Sequence, residues 1–202
     1  MFVRRNFKCG IFSIPVLLRL LYSTGMRIGE ACSLINSDVD MSSRIILVRN
    51  TKNKRDRQLP ISDSLYQVLE QYLIKRDKLP LHNMGNPNSP FLISLDGSSL
   101  TGVSARHWFY KILEASDIDY IPKVGPRIHD LRHTFAVHVL DKLVKEGVDM
   151  HCCLPVLSMA LGHKCVSDTE YYVRITNQVY PHLSDTTSAI SEYVFPTIST
   201  MK

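Results

Sequence analysis

The sequence of 202 residues has no internal repeat and no low-complexity tract. It also lacks an uninterrupted apolar run of the ~20 residues that a membrane-spanning helix needs. The N-terminal segment has basic residues followed by apolar ones, as a secretory signal has, but Arg19 interrupts the apolar part and no small-residue cleavage site follows. We therefore expect a buried helix there and no association with a membrane.

Cysteines are too few and too irregularly spaced for a disulfide framework. The five cysteines are an odd number, and a chain of this length can bury a core without covalent cross-links. A zinc cluster is also disfavoured, because no C-x-x-C or H-x-x-x-H pair lies among His151, Cys152, Cys153, His163 and Cys165. We expect reduced thiols in a cytoplasmic protein, with no metal ion and no cofactor.

The composition is that of an ordinary globular protein with a basic balance. Hydrophobic residues make up 45% and charged residues 21%, which is enough of each for a buried core and a polar surface. The net charge of +5 favours a polyanionic partner such as DNA, RNA or an acidic membrane. Many proteins without such a partner share this balance, so charge alone leaves the partner open.

Apolar periodicity predicts a mainly α fold with a small antiparallel β-sheet, that is, an α+β domain. No linker divides the chain, although the loop at 78–90, rich in proline, is the best candidate for a domain boundary. Ser62 is a predicted N-cap, and either Thr101 or Ser104 begins a later helix. The other predicted helices cover 15–24, 28–34, 129–145, 154–161 and 168–175, and the predicted hairpin strands cover 44–50 and 57–61.

The stretch "TGMRIGE" places Arg27 and Glu30 about one helical turn apart. One interpretation is a surface ion pair, which contributes little to stability. The other is that Glu30 holds the guanidinium in position for an anion.

The predicted hairpin turn "TKNKRDR" is strongly basic. It contains Lys52, Lys54, Arg55 and Arg57, with only Asp56 to balance them. Such a turn is either a solvated charged loop or a cationic finger that reaches a phosphate backbone.

The stretch "IHDLRHTFAVHVL" begins a predicted helix with two histidines and an arginine. His129 and Arg132 are three positions apart and therefore share a helical face. Helix N-termini also favour anions. A neighbouring stripe is predicted to anchor the helix in the core: Leu131, Phe135 and Val139.

The stretch "LGHKCVSDTEYYVRIT" places His163 at the end of one predicted helix and two adjacent tyrosines on the next. Consecutive helical residues point about 100° apart. We therefore expect one of Tyr171 and Tyr172 to be buried and the other exposed.

Taken in order, these stretches resemble the catalytic domain of the tyrosine recombinase (phage integrase) family. The family has an arginine in a segment like "TGMRIGE", a lysine in a β-hairpin, then "HDLRH", "LGH" and a tyrosine. Its nucleophilic tyrosine typically lies nine residues after the "LGH" histidine, which selects Tyr172. Aligning the hairpin on "RQLP" selects Lys52 over Lys54, although the turn lacks the family's usual glycine. The resemblance extends over about residues 17–176.

The resemblance implies a set of side chains around one scissile phosphate of double-stranded DNA. His163 would donate a hydrogen bond to the phosphate, Glu30 would orient the site, and His133 would support it from behind. The implied catalytic residues are Arg27, Lys52, His129, Arg132, His163 and Tyr172, and the implied DNA contacts are Lys54, Arg55 and Arg57.

The implied chemistry suits these residue types. Two guanidiniums, Arg27 and Arg132, would hold the nonbridging oxygens, while Tyr172 attacks phosphorus and gives a 3′-phosphotyrosyl intermediate. His129 would be the base or a proton carrier, and Lys52 would protonate the departing 5′-oxygen. The arginines would neutralise the phosphate, so neither a metal ion nor ATP is implied.

By the same resemblance, residues 1–185 form the catalytic domain and residues 186–202 form a tail that docks on its own chain or on a neighbouring protomer. Only about fourteen residues precede the first predicted helix, so we expect the family's N-terminal core-binding domain to be absent. The protein is expected to self-associate on DNA, as a tetrameric synapse in the family.

Two other functions remain open. A relaxing DNA topoisomerase of type IB shares the arginine, lysine, histidine and tyrosine chemistry. A catalytically silent DNA-binding fragment would retain the fold but lack a catalytic residue, and no such residue is missing from the sequence.

Overall fold

Helices dominate the computed structural model, which describes residues 12–49, 56–121 and 125–172. A three-stranded antiparallel sheet accompanies them, and residues 167–172 are also helical. The predicted fold class is therefore confirmed. In chain order the elements are α1 Ile14–Thr24, α2 Ile28–Cys32, a 3₁₀ turn Asn36–Asp38, β1 Val39–Asp40, β2 Ile45–Val48, β3 Arg57–Pro60, α3 Asp63–Arg76, α4 Gly102–Ala115, α5 Asp130–Lys145 and α6 Met150–Leu161.

The chain divides into two compact units. The first contains residues up to Phe135 together with Ala160–Gly162, and the second contains Ala136–Met159 and the residues from His163 onward. The loop at 78–90 lies inside the first unit. Within the three described ranges, every helix is too short or too polar to pass through a bilayer.

The core of the first unit is built around α1. Ile14, Leu17 and Leu20 are at most 2% exposed, because apolar side chains at this spacing line one helical face. This face packs against α2, α3 and α4. Gly25 ends α1 with a φ of 63°, and its N–H donates to the Leu21 carbonyl at 2.9 Å.

The sheet has the strand order β1-β2-β3, with Ile46 opposite Leu59 and Val48 opposite Arg57. Ile46, Val48 and Leu59 are buried in the first unit. Alternate residues of a strand point to the same face, so Arg57 is directed to the same side as Leu59. The hairpin therefore carries a guanidinium at the margin of the core.

Side-chain oxygens cap α3 and α4. The Ser62 hydroxyl accepts from the Leu65 N–H at 3.4 Å, as predicted. The Thr101 hydroxyl accepts from the Ser104 N–H at 3.2 Å, so Thr101 and not Ser104 is the cap of α4.

The helix α6 begins four residues earlier than the sequence predicts, at Met150 instead of Leu154. Pro155 consequently lies inside the helix. Pro155 lies beyond the first turn of this helix and has no N–H to donate to the carbonyl of residue 151, so the helix lacks one intrahelical hydrogen bond there. The first turn is closed ahead of the proline, where the Asp149 carbonyl accepts from the N–H groups of residues 152 and 153 at 3.1 and 3.2 Å.

The most deeply buried face of α5 differs from the predicted stripe, although Leu131 of that stripe packs against the core. The helix buries a face centred on Arg132, Ala136 and Leu140, which are 3%, 0% and 0% exposed and follow one another at intervals of four. The guanidinium can be buried because backbone carbonyls accept its hydrogen bonds. Three residues predicted to anchor the helix are only partly buried: Leu131, Phe135 and Val139.

Replacing Gly25 with alanine should lower the free energy of unfolding by about 2–4 kcal/mol. The left-handed backbone costs an L residue about 1–2 kcal/mol, and overpacking costs about 1–3 kcal/mol. The new Cβ would collide with the Phe135 ring and lie 2.9 Å from Leu161 Cδ2. Chemical denaturation measures the change. Gly29→Ala is the matched control, since its Cβ meets nothing within 4 Å, and an equal loss in both variants would contradict the explanation.

Candidate active site

Three charged side chains of the first unit, from the start of α2 and from β3, meet in one cluster. Glu30 Oε1 accepts from Arg27 Nη1 at 3.0 Å and from Arg57 Nη1 at 3.2 Å. Its Oε2 accepts from Arg57 Nη2 at 2.7 Å and from the Arg27 backbone N–H at 2.8 Å. The side chains of Glu30 and Arg57 are 8% and 9% exposed, whereas Arg27 is 27% exposed. One carboxylate therefore fixes two guanidiniums, of which Arg27 is the more accessible.

Glu30 is ionised at neutral pH in spite of its burial. Burial by itself raises the pKa of Glu30, but hydrogen bonds from Arg57 and from the Arg27 backbone outweigh it and hold the pKa below its ordinary value. Because the folded-state pKa is lowered, the cluster stabilises the fold above the ordinary pKa and loses that contribution as the pH falls through the lowered one. One anion between two cations leaves a net positive charge.

The helix α5 contributes a third guanidinium, which is almost completely buried. Arg132 is 3% exposed, and it donates from Nη1 to the Gly25 carbonyl and from Nη2 to the Leu161 carbonyl, each at 2.7 Å. A buried charge is costly unless hydrogen bonds compensate for it. Carbonyl oxygens supply such bonds but carry no formal charge, so these two contacts leave the positive charge of Arg132 in place.

The C-terminal end of α6 binds all three guanidiniums. Three consecutive carbonyls accept these hydrogen bonds. The carbonyl of Ala160 accepts from Arg57 at 2.8 Å, that of Leu161 from Arg132 at 2.7 Å, and that of Gly162 from Arg27 at 3.3 Å. The last carbonyls of a helix have no intrahelical donor and form the negative end of its dipole. We call these residues the three-carbonyl turn. It brings the two arginines predicted to bind phosphate, Arg27 and Arg132, onto neighbouring peptide groups.

Two imidazoles lie at the start of α5, still in the first unit. The rings of His129 and His133 meet edge to face, with centroids 5.1 Å apart. Burial, followed by the charges of His133 and Arg132, lowers the pKa of His129. Burial also lowers the pKa of His133, against the opposing effect of the Asp130 carboxylate. Both rings are therefore neutral at pH 7 and able to accept a proton.

Two further predicted catalytic residues, His163 and Tyr172, lie together in the second unit. The rings of His163 and Tyr172 are nearly parallel, with centroids 5.9 Å apart and planes inclined by 9°. His163 Nδ1 lies 2.9 Å from the Thr169 hydroxyl. Tyr172 is 3% exposed and Tyr171 is 56% exposed, which confirms the expectation that one tyrosine would be buried and its neighbour exposed.

Of the four basic residues in the predicted hairpin turn, the structure describes only Arg57. Lys52, Lys54 and Arg55 lie outside the described residues. Arg57, predicted with them to contact DNA, instead directs its guanidinium inward, where it pairs with Glu30. Strand alternation was the signal for this placement, because Arg57 and the buried Leu59 are two positions apart in "RQLP".

The segment considered for zinc carries thiols of differing exposure. Cys152 and Cys165 are exposed, whereas Cys153 is buried. In the part of the chain that the structure describes, no group of three or more His, Cys, Asp or Glu side chains is arranged to hold a metal ion.

The chain is similar in sequence to known integrases and recombinases. The sequence model of the phage integrase family matches residues 8–178. The provisionally named integrase/recombinase y4rE of Sinorhizobium fredii is 33% identical over 162 residues, which are 80% of this chain and 50% of that protein. The tyrosine recombinase XerC of Thermodesulfovibrio yellowstonii is 32% identical over 160 residues, which are 79% of this chain and 49% of that protein. The chain thus spans about half the length of the curated relatives it matches.

A solved structure shows the same fold. The XerH site-specific recombinase, bound to a palindromic difH substrate in a post-cleavage complex, matches with a TM-score of 0.64 and 23% identity. The match covers 94% of this chain and 49% of the XerH chain. At this level of identity the likeness supports the fold of the present chain.

Proposed function

The chain belongs to the phage integrase family, and we propose that it carries the catalytic site of a tyrosine recombinase that cleaves and rejoins strands of double-stranded DNA. The family that the ordered motifs predicted is thereby confirmed, with a match over most of the chain. The activity itself is our proposal, supported by the relatives' names and by the arrangement of charged residues in the first unit.

The observation that carries the proposal is the convergence of Arg27 and Arg132. Their guanidiniums donate to the adjacent carbonyls of residues 162 and 161, so the two groups lie close together although they are far apart in sequence. A guanidinium presents five N–H donors in one plane, a geometry that suits phosphate oxygens. Two such cations suit a phosphodiester whose nonbridging oxygens gain charge as a nucleophile attacks.

The proposed reaction begins with attack by the Tyr172 oxygen on the scissile phosphorus. The phenol gives up its proton, an O–P bond forms, and the bond from phosphorus to the 5′-oxygen breaks. The product is a 3′-phosphotyrosyl linkage and a free 5′-hydroxyl. Because the linkage retains the bond energy, attack by another 5′-hydroxyl restores a phosphodiester and releases Tyr172 without ATP.

Proton transfers complete the proposed mechanism. A phenol has an ordinary pKa of about 10, so Tyr172 needs a base, and the neutral imidazole of His129 is suited to accept the proton. Lys52 protonates the departing 5′-oxygen. His163 donates to a phosphate oxygen, and His133 supports His129 through their edge-to-face contact.

We further propose that the protein self-associates on DNA as a tetrameric synapse and acts in the cytoplasm. Lys54 and Arg55 contact the DNA backbone near the cleavage site. We also propose that residues 1–185 form the catalytic domain and that residues 186–202 form a docking tail.

Covalent trapping on a suicide DNA substrate tests the proposal. A nick beside the scissile phosphate releases a short fragment after cleavage, so the phosphotyrosyl linkage cannot be resealed. We expect an adduct that survives denaturation and forms in chelator without ATP. DNA binding without any adduct would identify a silent fragment, and repeated relaxation of supercoiled plasmid without sequence preference would identify a type IB topoisomerase.

Lys52→Ala should slow cleavage of ordinary DNA by about 10²–10⁴-fold, the usual contribution of a general acid. A substrate with sulfur at the 5′-bridging position should restore the rate almost to that of the parent, because a thiolate leaves without protonation. Single-turnover trapping on both substrates measures the rescue. Lys54→Ala is the control and should show no selective rescue. An equal defect of Lys52→Ala on both substrates would exclude the acid role.

A further inference from the structure

We propose that Arg57 is a positioning residue for the cleavage reaction, which fixes Arg27 and the three-carbonyl turn through its contacts with Glu30 and Ala160. The inference rests on the proposed function. It differs from the sequence-based expectation, in which Arg57 contacts DNA along with its neighbours in the hairpin.

The first support is the number and geometry of the hydrogen bonds that Arg57 makes. Its Nη1 and Nη2 donate to the two carboxylate oxygens of Glu30 at 3.2 and 2.7 Å, and its Nε donates to the Ala160 carbonyl at 2.8 Å. A two-pronged pair of this kind fixes orientation as well as distance. The guanidinium thus ties β3 to the start of α2 and to the end of α6.

The second support is the close packing of Gly162 on the same guanidinium. A Cβ at Gly162 would lie 2.9 Å from Arg57 Nη1 and 3.1 Å from Cζ, and the φ of the glycine is 67°. The backbone therefore reaches its position only because residue 162 has no side chain. The carbonyl of this glycine accepts from Arg27, and the next residue in the chain is His163.

The third support is that Arg57 and Arg27 share one carboxylate. Without Arg57, Glu30 loses its contacts at 3.2 and 2.7 Å, and the carboxylate that orients Arg27 is held from one side only. Displacement of a reacting group by about 1 Å can slow an enzymatic step by about 10²-fold. Arg57 can therefore affect the phosphate site through Arg27 while its own side chain remains 9% exposed.

Arg57→Lys is the variant that tests this inference. Lysine keeps the positive charge but offers one compact ammonium in place of the planar fork. We expect the single-turnover trapping rate to fall by about 10²-fold. The dissociation constant for DNA should remain within about twofold. In Arg57→Gln, which removes the charge, the slope of its logarithm against log salt should also be unchanged, because a lost phosphate contact would reduce that slope by about 0.9.

Arg44→Lys is the matched control, since it changes another arginine of the same sheet region. Arg44 pairs with Asp63, and the two side chains are 49% and 85% exposed. We expect its trapping rate, DNA affinity and salt slope to equal those of the parent.

Glu30→Gln is the second variant, and it keeps the inference testable should Arg57→Lys fail to fold. Its amide offers one acceptor oxygen in place of two, so both arginines loosen. We expect slower trapping at unchanged DNA affinity. The double variant, Arg57→Lys with Glu30→Gln, should trap about as slowly as the slower of the two single variants, because both changes disrupt the same hydrogen-bonded cluster.

The outcomes separate this inference from the proposed function. If the parent forms no adduct, the proposed function fails and the positioning role fails with it. A parent that forms the adduct, together with Arg57→Lys or Glu30→Gln at the parental rate, overturns the positioning role alone. A lower salt slope in Arg57→Gln also overturns it, in favour of direct DNA contact.

Discussion

Replacing Tyr172 with phenylalanine should abolish the covalent protein–DNA adduct completely. Phenylalanine keeps the ring but has no oxygen with which to attack phosphorus. The ring is 3% exposed and stacks on His163, so its packing should survive the change. Loss of a hydroxyl hydrogen bond costs about 1 kcal/mol, and we expect no larger loss of stability. Denaturing gels of the trapping reaction and thermal unfolding measure the two effects.

Tyr171→Phe provides a control at the adjacent position. Its side chain is 56% exposed, so we expect parental stability and a parental trapping rate. The reverse pattern, with an adduct from Tyr172→Phe and none from Tyr171→Phe, would identify Tyr171 as the nucleophile. An adduct from both variants would show that neither hydroxyl is required by itself and would overturn the assignment of Tyr172 as the sole nucleophile.

Arg132→Ala should impair both the stability and the activity of the protein. The carbonyls of Gly25 and Leu161 lose their guanidinium donor. Each hydrogen bond to a charged group contributes about 1.5–3 kcal/mol, so we expect the free energy of unfolding to fall by about 3–5 kcal/mol. Loss of a preorganised donor to the developing charge should slow trapping by about 10²–10³-fold or more. Chemical denaturation and single-turnover trapping below the unfolding temperature measure these changes.

Arg132→Lys separates the two effects. An ammonium can occupy the cation site, but its compact shape cannot reproduce the two-pronged geometry of the guanidinium. We expect stability between that of the parent and that of Arg132→Ala, with cleavage still slow. A lysine variant that cleaves at the parental rate would show that only the charge matters. Arg127→Lys, at an arginine 60% exposed that pairs with Asp130, is the surface control.

Local patterns in the sequence predicted most of the secondary structure of the first unit. The helix α1 was predicted from 15 and observed from Ile14, because apolar spacing and a terminal glycine define it locally. The buried face of α5 was not predictable in this way. Its centre is Arg132, whose carbonyl partners lie 107 and 29 residues away in the chain. Periodicity alone treats such a residue as polar surface.

Local sequence patterns also predicted only part of the candidate site. Motif order and spacing identified Arg27, Arg132, His163 and Tyr172, and their roles stay predictions until they are tested. The burial of Arg57 depends on partners 27 and 103 residues distant, which no local window contains. The only local indication that Arg57 would be buried was its position two residues before the buried Leu59. The basic composition of the turn favoured an exposed side chain instead.

The three-carbonyl turn has a consequence for the order of folding. Its donors come from α2, β3 and α5, so the guanidiniums reach their acceptors only after segments distant in sequence have met. Contacts of large sequence separation form slowly because the intervening chain must first be ordered. We therefore expect a partly folded or newly synthesised chain to lack the assembled cation site, and to be unable to cut DNA before its tertiary structure is complete.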